Sequence, residues 1–313
     1  AFNNIKRSVY EFLYKIDNNS ITIGSKEMNG FGKMNIMSIY LKEFEIKDKK
    51  TLNNYIKFEE KFFKNRNTLI NKLDNRKDEI FDKIDLNKND YVEYSLKVRC
   101  QDGFLIKGDV VQKDKSKVTE FYKENNNYLI PASTIKGIFR YHISKLINTI
   151  EDDLCIEHIF GGVDKKQNKH KGKVYFEDIN LNKQIKNINV SKLENNTRVK
   201  IDRFTGGAFE GALISEEVLI IDSNNELNIK LKHKKEIENK EKIVAYLIAA
   251  LRDISYQRVN IGSNSSIGYG FFKGIELNIN GLDKNINIDF NNLDNIQVAR
   301  IEKKLEVLKK LVG

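Results

Sequence analysis

Ile261-Gly262-Ser263-Asn264-Ser265-Ser266-Ile267-Gly268-Tyr269-Gly270 decides how this chain is built, because its outline occurs twice. Ile23-Gly24-Ser25 followed by Gly30-Phe31-Gly32 has the same internal spacing at a constant offset of 238 residues. The segments ahead of the two loops match as well. Val9, Phe12, Leu13 and Ile16 correspond to Leu247, Ala250, Leu251 and Ile254, an apolar stripe at helical spacing in both copies. Behind the glycines, residues 34–41 and 271–279 both read as strands. Helix, glycine loop and strand therefore form a unit present twice, against the simpler alternative of two unrelated glycine turns.

The copies differ in what precedes them. A long run of strand and helix pattern leads into the second loop and almost none into the first. Residues 1–46 are accordingly expected to be the C-terminal piece of an upstream domain, and 92–281 a whole domain of the same kind. Between them, residues 47–91 are highly charged, and Tyr55/Ile56, Phe62/Phe63 and Leu69/Ile70 recur every seven residues. That spacing predicts one or two amphipathic connector helices. Ile296, Ile301, Leu305, Leu308 and Leu311 place a further helix over 293–312, so that 282–313 is a helical extension.

Within 92–281 the pattern gives a strand at 92–98, a loop from about 103 to 127 and strand entry at Tyr128-Leu129-Ile130. A helix follows, with Ser133 as N-cap and Phe139, Ile143, Leu146, Ile147 and Ile150 on one face. Strands are expected at 173–179, about 197–203 and near 213–221, then a helix at 240–255 and the closing glycine loop and strand. Strands interleaved with two long helices make the class α+β, consistent with a split βαβ sheet.

Composition narrows the partners. Fifty-four Lys and Arg against 44 Asp and Glu leave a formal charge of +10, which favours a polyanion, although an Asn-, Lys- and Ile-rich chain also fits a genome-wide codon bias. No stretch approaches the roughly 18–20 unbroken apolar residues of a membrane span, and the first residues carry no export signal, so a cytoplasmic location without a membrane partner is expected. Cys100 and Cys155 are isolated and read as small buried apolar residues.

Four segments could carry chemistry. Ile130-Pro131-Ala132-Ser133-Thr134-Ile135-Lys136-Gly137-Ile138-Phe139-Arg140 opens a helix, where free N–H groups and the positive dipole end beside Lys136 and Arg140 suit a phosphate; a capped helix with two solvated cations is the alternative. Phe160-Gly161-Gly162 precedes Lys165, Lys166, Lys169, Lys171 and Lys173, a loop that either stays solvated or follows phosphates. Arg198 to Arg203, then Phe204, Gly206 and Gly207, suit a protruding hairpin whose Phe204 or Phe209 wedges against bases, or packs in a core. Gly262, Gly268 and Gly270 allow close approach of main chain to a nucleotide backbone, or make a tight turn.

Catalytic patterns are sparse. His142, His158, His170 and His233 lack metal-ligand spacing, and no Gly-x-x-x-x-Gly-Lys loop occurs. Asp109 and Asp114 lie in the lysine-bearing loop and could hold a hard cation beside an RNA phosphate; surface charge is the plainer use.

In this order the four segments resemble the RAMP (repeat-associated mysterious protein) superfamily of CRISPR effector subunits. That family carries an Ile-Pro-Gly-Ser-Ser-Leu-Lys-Gly segment with an Arg soon after, Phe-Gly before a Gly-Arg-Val-x-Phe-like strand, Arg-x-x-Ile-Asp-Arg-x-Thr-Gly-x-Ala, and a final glycine loop. Ala132 replaces the usual glycine, and Val118 or Thr119 stands near the family's expected loop aspartate. The resemblance implies a ferredoxin-like, modified RNA-recognition-motif fold and a backbone-type subunit of a type III effector complex. It implies that Ser133, Lys136, Gly137 and Arg140 hold guide RNA, with Lys169, Lys171, Arg198, Arg203, Phe204, Gly262, Ser263, Gly268, Tyr269 and Gly270 adding contacts and residues 202–222 forming a base-displacing thumb. Complementary target RNA, other effector subunits or fused RAMP repeats become expected partners. Metal-dependent cleavage, with Mg or Mn held at Asp109 and Asp109 and Asp114 as catalytic candidates, is the implied activity; a non-catalytic scaffold and a metal-independent guide-processing ribonuclease are the alternatives.

Overall fold

A computed structural model describes residues 2–18, 21–24, 32–82, 90–113, 116–185, 192–221, 225–292 and 295–312. The described residues form two compact units, one drawn from 2–82 and one from 90–312.

The first unit opens with α1 (Phe2–Asp17). Asp48 begins α2 (Lys49–Lys64) through a capping box: the Thr51 amide donates to Asp48 Oδ1 at 2.7 Å and the Asp48 amide to Thr51 Oγ1 at 3.1 Å. The connector is more broken than its seven-residue recurrence suggested. Asn65 leaves helical geometry at φ −130°, ψ 45°, and α3 (Arg66–Ile70) and α4 (Lys77–Asp82) follow as short pieces. α2 buries none of its residues; its Tyr55 and Phe58 meet Phe44 instead. Ile80 of α4 is buried, and the neighbouring Phe81 ring meets Tyr14 of α1 edge-on at 5.3 Å. The strand expected at 34–41 is not formed. Residues 33–39 join no ladder, and only the Tyr40–Asn75 bridge pairs this stretch among the described residues.

The second unit is organised by β1 (Tyr91–Cys100), where Val92, Tyr94, Leu96, Val98 and Cys100 are buried and Glu93, Ser95, Lys97 and Arg99 point the other way. The expected 103–127 loop proves to be largely strand: β2 (Lys107–Lys113), β3 (Ser116–Phe121) and β4 (Lys123–Glu124), before β5 (Asn127–Ile130). Then come α5 (Ala132–Ile150), α6 (Ile156–Phe160), β6 (Gly162–Val163), β7 (Lys169–His170), β8 (Val174–Phe176), β9 (Ile179–Asn180) and α7 (Leu181–Gln184). The chain closes with β10 (Lys192–Ile201), β11 (Ala208–Ile220), β12 (Glu226–Lys234), α8 (Lys240–Ser255), β13 (Phe272–Asn280), β14 (Ile286–Asp289) and α9 (Asn295–Val312).

The main sheet is antiparallel throughout, in the order β14-β13-β1-β12-β8. Its core runs β1, α5, β8, β12, α8, β13 along the chain, and β1 sits between β12 and β13. The apolar face of the sheet packs with α5, α8 and α9 in one cluster that includes Leu96, Ile229, Phe139, Leu247, Leu251, Leu277 and Leu305. Burying a large aliphatic side chain there contributes about 1.5–3 kcal/mol. A second sheet of this unit, β10-β11-β3-β2, is joined to the chain leaving β1 by reciprocal amide bonds between Phe104 and Leu219 at 3.1 and 3.0 Å. The α+β class expected from the pattern is the class observed.

Candidate nucleic-acid interface

β5 runs into Pro131, whose fixed φ of −63° directs the chain into α5. Pro131, not Ser133, is the N-cap, and it has no side-chain cap of its own. A carboxylate from a distant strand end serves instead: the Ala132 amide donates to Asp178 Oδ1 at 2.7 Å. The expected anion site at this helix start is therefore partly filled by the protein's own acid. Ala132, Ile135, Phe139, Ile143 and Ile147 anchor the inner face. Their spacing leaves Ser133 and Gly137 exposed, with Lys136 and Arg140 half-buried on the same side. Burial, and then the adjacent Arg140 charge, hold the Lys136 ammonium below the ordinary lysine range. The negative charge of an arriving phosphate would offset both effects.

Arg140 ties this face to the lysine segment. Its Nη1 donates to the Gly161 carbonyl at 2.7 Å and its Nη2 pairs with Glu157 Oε1 at 3.1 Å. Beyond Gly161, β6 and β7 form a short hairpin with Gly162 opposite His170 and Val163 opposite Lys169. Asp164 organises its tip: His170 Nε2 lies 2.9 Å from Oδ2, and the Lys166 and Asn168 amides each donate to Oδ1 at 2.8 Å. Those bonds, His170 first, hold the Asp164 carboxyl far below its usual range. The His158 ring stands against His170 with centroids 4.2 Å apart, a pairing no sequence spacing announced. Lys165, Lys166, Lys169 and Lys171 are exposed around this hairpin.

The glycine loop and the hairpin of β10 and β11 are brought together by Glu216. Only 1% of its side chain is exposed, and it receives Lys107 Nζ at 2.8 Å, Asn264 Nδ2 at 2.7 Å and the Arg198 guanidinium. Burial alone would raise its pKa; the Lys107 and Asn264 hydrogen bonds and the Arg198 charge outweigh it and keep the carboxyl below its ordinary value. Arg198, expected to face RNA, is thus paired across the two strands of the hairpin, while Lys107 and Asn264 tie the hairpin to β2 and the glycine loop. Tyr269 is likewise engaged, its hydroxyl accepting from Asn196 Nδ2 at 3.0 Å. The loop amides are used internally too: Ser263 donates to Leu105 at 2.8 Å and Gly270 to Gly103 at 2.9 Å. Gly262 (φ +100°) and Gly270 (φ +81°) are required by this seat, because a Cβ on either would overlap the Leu105 or Ile261 carbonyl. Gly268 faces open space.

At the far end of the hairpin, Asp202 builds the turn. Its amide donates to Gly207 at 2.8 Å, its Oδ1 accepts the Phe204 amide at 2.9 Å and its Oδ2 the Thr205 hydroxyl at 3.1 Å. Phe204 is 100% exposed on this fixed tip, beside exposed Arg203. The hairpin is longer than the expected 202–222, since its first strand begins at Lys192.

Asp109 is exposed on β2, and Asp114 lies outside the described residues. Among the described residues no three His, Cys, Asp or Glu side chains form a group able to hold a metal ion.

Together these features define an α+β domain that presents a cationic helix face, a lysine hairpin and an aromatic-tipped hairpin, the equipment of a nucleic-acid binder. The profile of the RAMP superfamily matches residues 103–273, more than half of the sequence, and the chain belongs to that superfamily. Membership carries a CRISPR-associated, RNA-binding role, with RNA and other components of CRISPR complexes as partners. No curated protein matches the chain. Among the described residues no helix is long and apolar enough to cross a membrane.

Proposed function

We propose that this protein is a guide-RNA-binding backbone unit of a type III effector complex, which positions complementary target RNA. The strand order β13-β1-β12-β8, crossed by α5 and α8, supports a ferredoxin-like domain. The observation that carries the reading is the link between Arg140 and Gly161, which sets the Ser133, Lys136 and Gly137 face beside a lysine hairpin. A ribose-phosphate chain lying across both would meet full charges on each side. Phe204, fully exposed on its braced turn, would intrude between bases and set a fixed interval along the guide.

Purified protein is expected to carry small RNA, read as a raised ratio of absorbance at 260 to 280 nm and identified by sequencing. Lys136→Glu should lower the retained RNA several-fold. Retention identical in wild type and Lys136→Glu, or no RNA at low salt, would refute the reading. Cleavage by the same unit rests on Asp109 and Asp114: Asp109→Ala with Asp114→Ala should abolish magnesium-dependent cutting of a complementary strand. Cutting that survives both changes removes these residues from the reaction, and a wild type that binds without cutting is a scaffold.

A further inference from the structure

The 238-residue repeat is present in three dimensions. α1 and α8 are each 16 residues long and coincide at both ends when shifted by 238. The loops that follow close alike: the Ile23 amide donates to Gly32 at 2.9 Å, and the Ile261 amide to Gly270 at 2.7 Å. Gly24 and Gly262 share φ values of +107° and +100°, Gly32 and Gly270 values of +79° and +81°.

Surroundings are where the copies part. Leu247, Ala250, Ile261 and Phe272 are 0–1% exposed inside the second unit, whereas their counterparts Val9, Phe12, Ile23 and Met34 are 47–51% exposed. In the second unit these positions belong to the same cluster as the apolar face of β1 and β12, and β13 is hydrogen-bonded to β1. Residues 33–39 repeat the position of β13, and no strand of the described residues pairs with them. The first unit thus has the helix and bend of such a domain and residues 33–41 at the position of its last strand, and among the described residues no sheet covers their apolar side.

We propose that α1, the bend after it and residues 33–41 seat the strand-bearing half of a second RAMP-type domain, supplied by polypeptide leading into α1. The inference rests on the RAMP reading of the second unit but not on its RNA contacts. A second copy of this chain does not fit as occupant: the apolar face of its sheet is already covered by its own α5 and α8, and β1 offers Glu93, Ser95, Lys97 and Arg99 on the other face. RNA does not fit four half-exposed aliphatic and aromatic side chains. Supply from the same polypeptide follows from the connection used in the second unit. There β12 ends at Lys234 and α8 begins at Lys240, so a comparably short link would place the feeding strand directly ahead of α1.

The test uses the polypeptide at its natural length, with a photoreactive phenylalanine analogue at Phe12 or Met37. The expected result is a protein heavier than 36.4 kDa, cross-linked within itself to an upstream strand of alternating apolar residues. A natural mass of 36.4 kDa, a cross-link to a separate polypeptide, to residues 90–312 of another copy or to RNA, or no cross-link, each overturns the proposal. Val9→Ser with Phe12→Ser supplies a second readout. It should leave the melting temperature of the 313-residue chain within about 1 °C and lower that of the natural-length protein by several degrees; equal shifts overturn the proposal. RNA retention, measured on the same samples, fails or holds independently of these results.

Discussion

Glu216 is the residue on which the loop, the hairpin root and β2 converge, through Asn264, Arg198 and Lys107 respectively. Glu216→Gln keeps the volume but leaves two cations facing a neutral amide. Charge-assisted hydrogen bonds of this kind contribute about 1.5–3 kcal/mol each, so a loss of about 2 kcal/mol is expected in urea unfolding. The pH dependence follows from the direction of the shift. The folded carboxyl titrates below its ordinary value of 4.5, so its contribution is complete above that value and is lost as pH falls below it. The wild type should therefore lose more stability than Glu216→Gln on acidification from pH 6 to 3. Parallel curves would show that the cluster is held by packing alone. Nothing in the sequence singles out Glu216, because its partners lie 18, 48 and 109 residues away. Asp178 was hidden for the same reason: the cap of α5 comes from 46 residues downstream, while Ser133 looked like a cap by local preference alone.

At the scale of elements, legibility followed period and contact range. α8 was read residue for residue, since Leu247, Leu251 and Ile254 repeat at helical spacing and the flanks are polar. β12 was missed although Leu227, Ile229 and Leu231 alternate inward, because the fourth inward position is His233 and Glu226, Asn228 and three lysines fill the outward ones. His233 is buried against Tyr94, its Nε2 3.0 Å from the phenol, which gives the ring a polar partner inside the core. The opposite error at 34–41 has the complementary cause: strand-like residues do not form a ladder without a partner strand. The β10–β11 hairpin was anticipated in place but not in length. Its tip makes a clean test, since a side chain that is 100% exposed contributes little to stability. Phe204→Ala should change unfolding free energy by less than about 0.5 kcal/mol, yet remove the fluorescence rise of 2-aminopurine placed at the displaced position of a bound guide. An unchanged fluorescence rise would show that Phe204 does not separate the bases.

For the whole molecule, a charge of +10 says less about RNA than which cations are already paired. Lys107 and Arg198 serve Glu216, Lys113 serves Glu217, Lys242 serves Asp152 and Asp153, and Arg252 and Arg258 serve Asp253. A cation neutralised by a carboxylate has no counterion to release, so these groups should not enter the salt dependence of RNA binding. Lys165, Lys166 and Lys169 make no ion pair among the described residues, and they form the set that the hairpin of β6 and β7 offers. Each contact to a single strand contributes about 0.7 to the slope of log K against log salt, so these three predict a slope near −2. Lys165→Glu with Lys169→Glu should bring the slope to about −0.7 or shallower and weaken binding alike for guides of any sequence. Reversing two cations that serve carboxylates, Lys113 and Lys242, should leave the slope at its original value while lowering stability. A slope that follows net charge in both variants would mean that RNA senses the summed field of the protein, and the assigned surface would have to be abandoned.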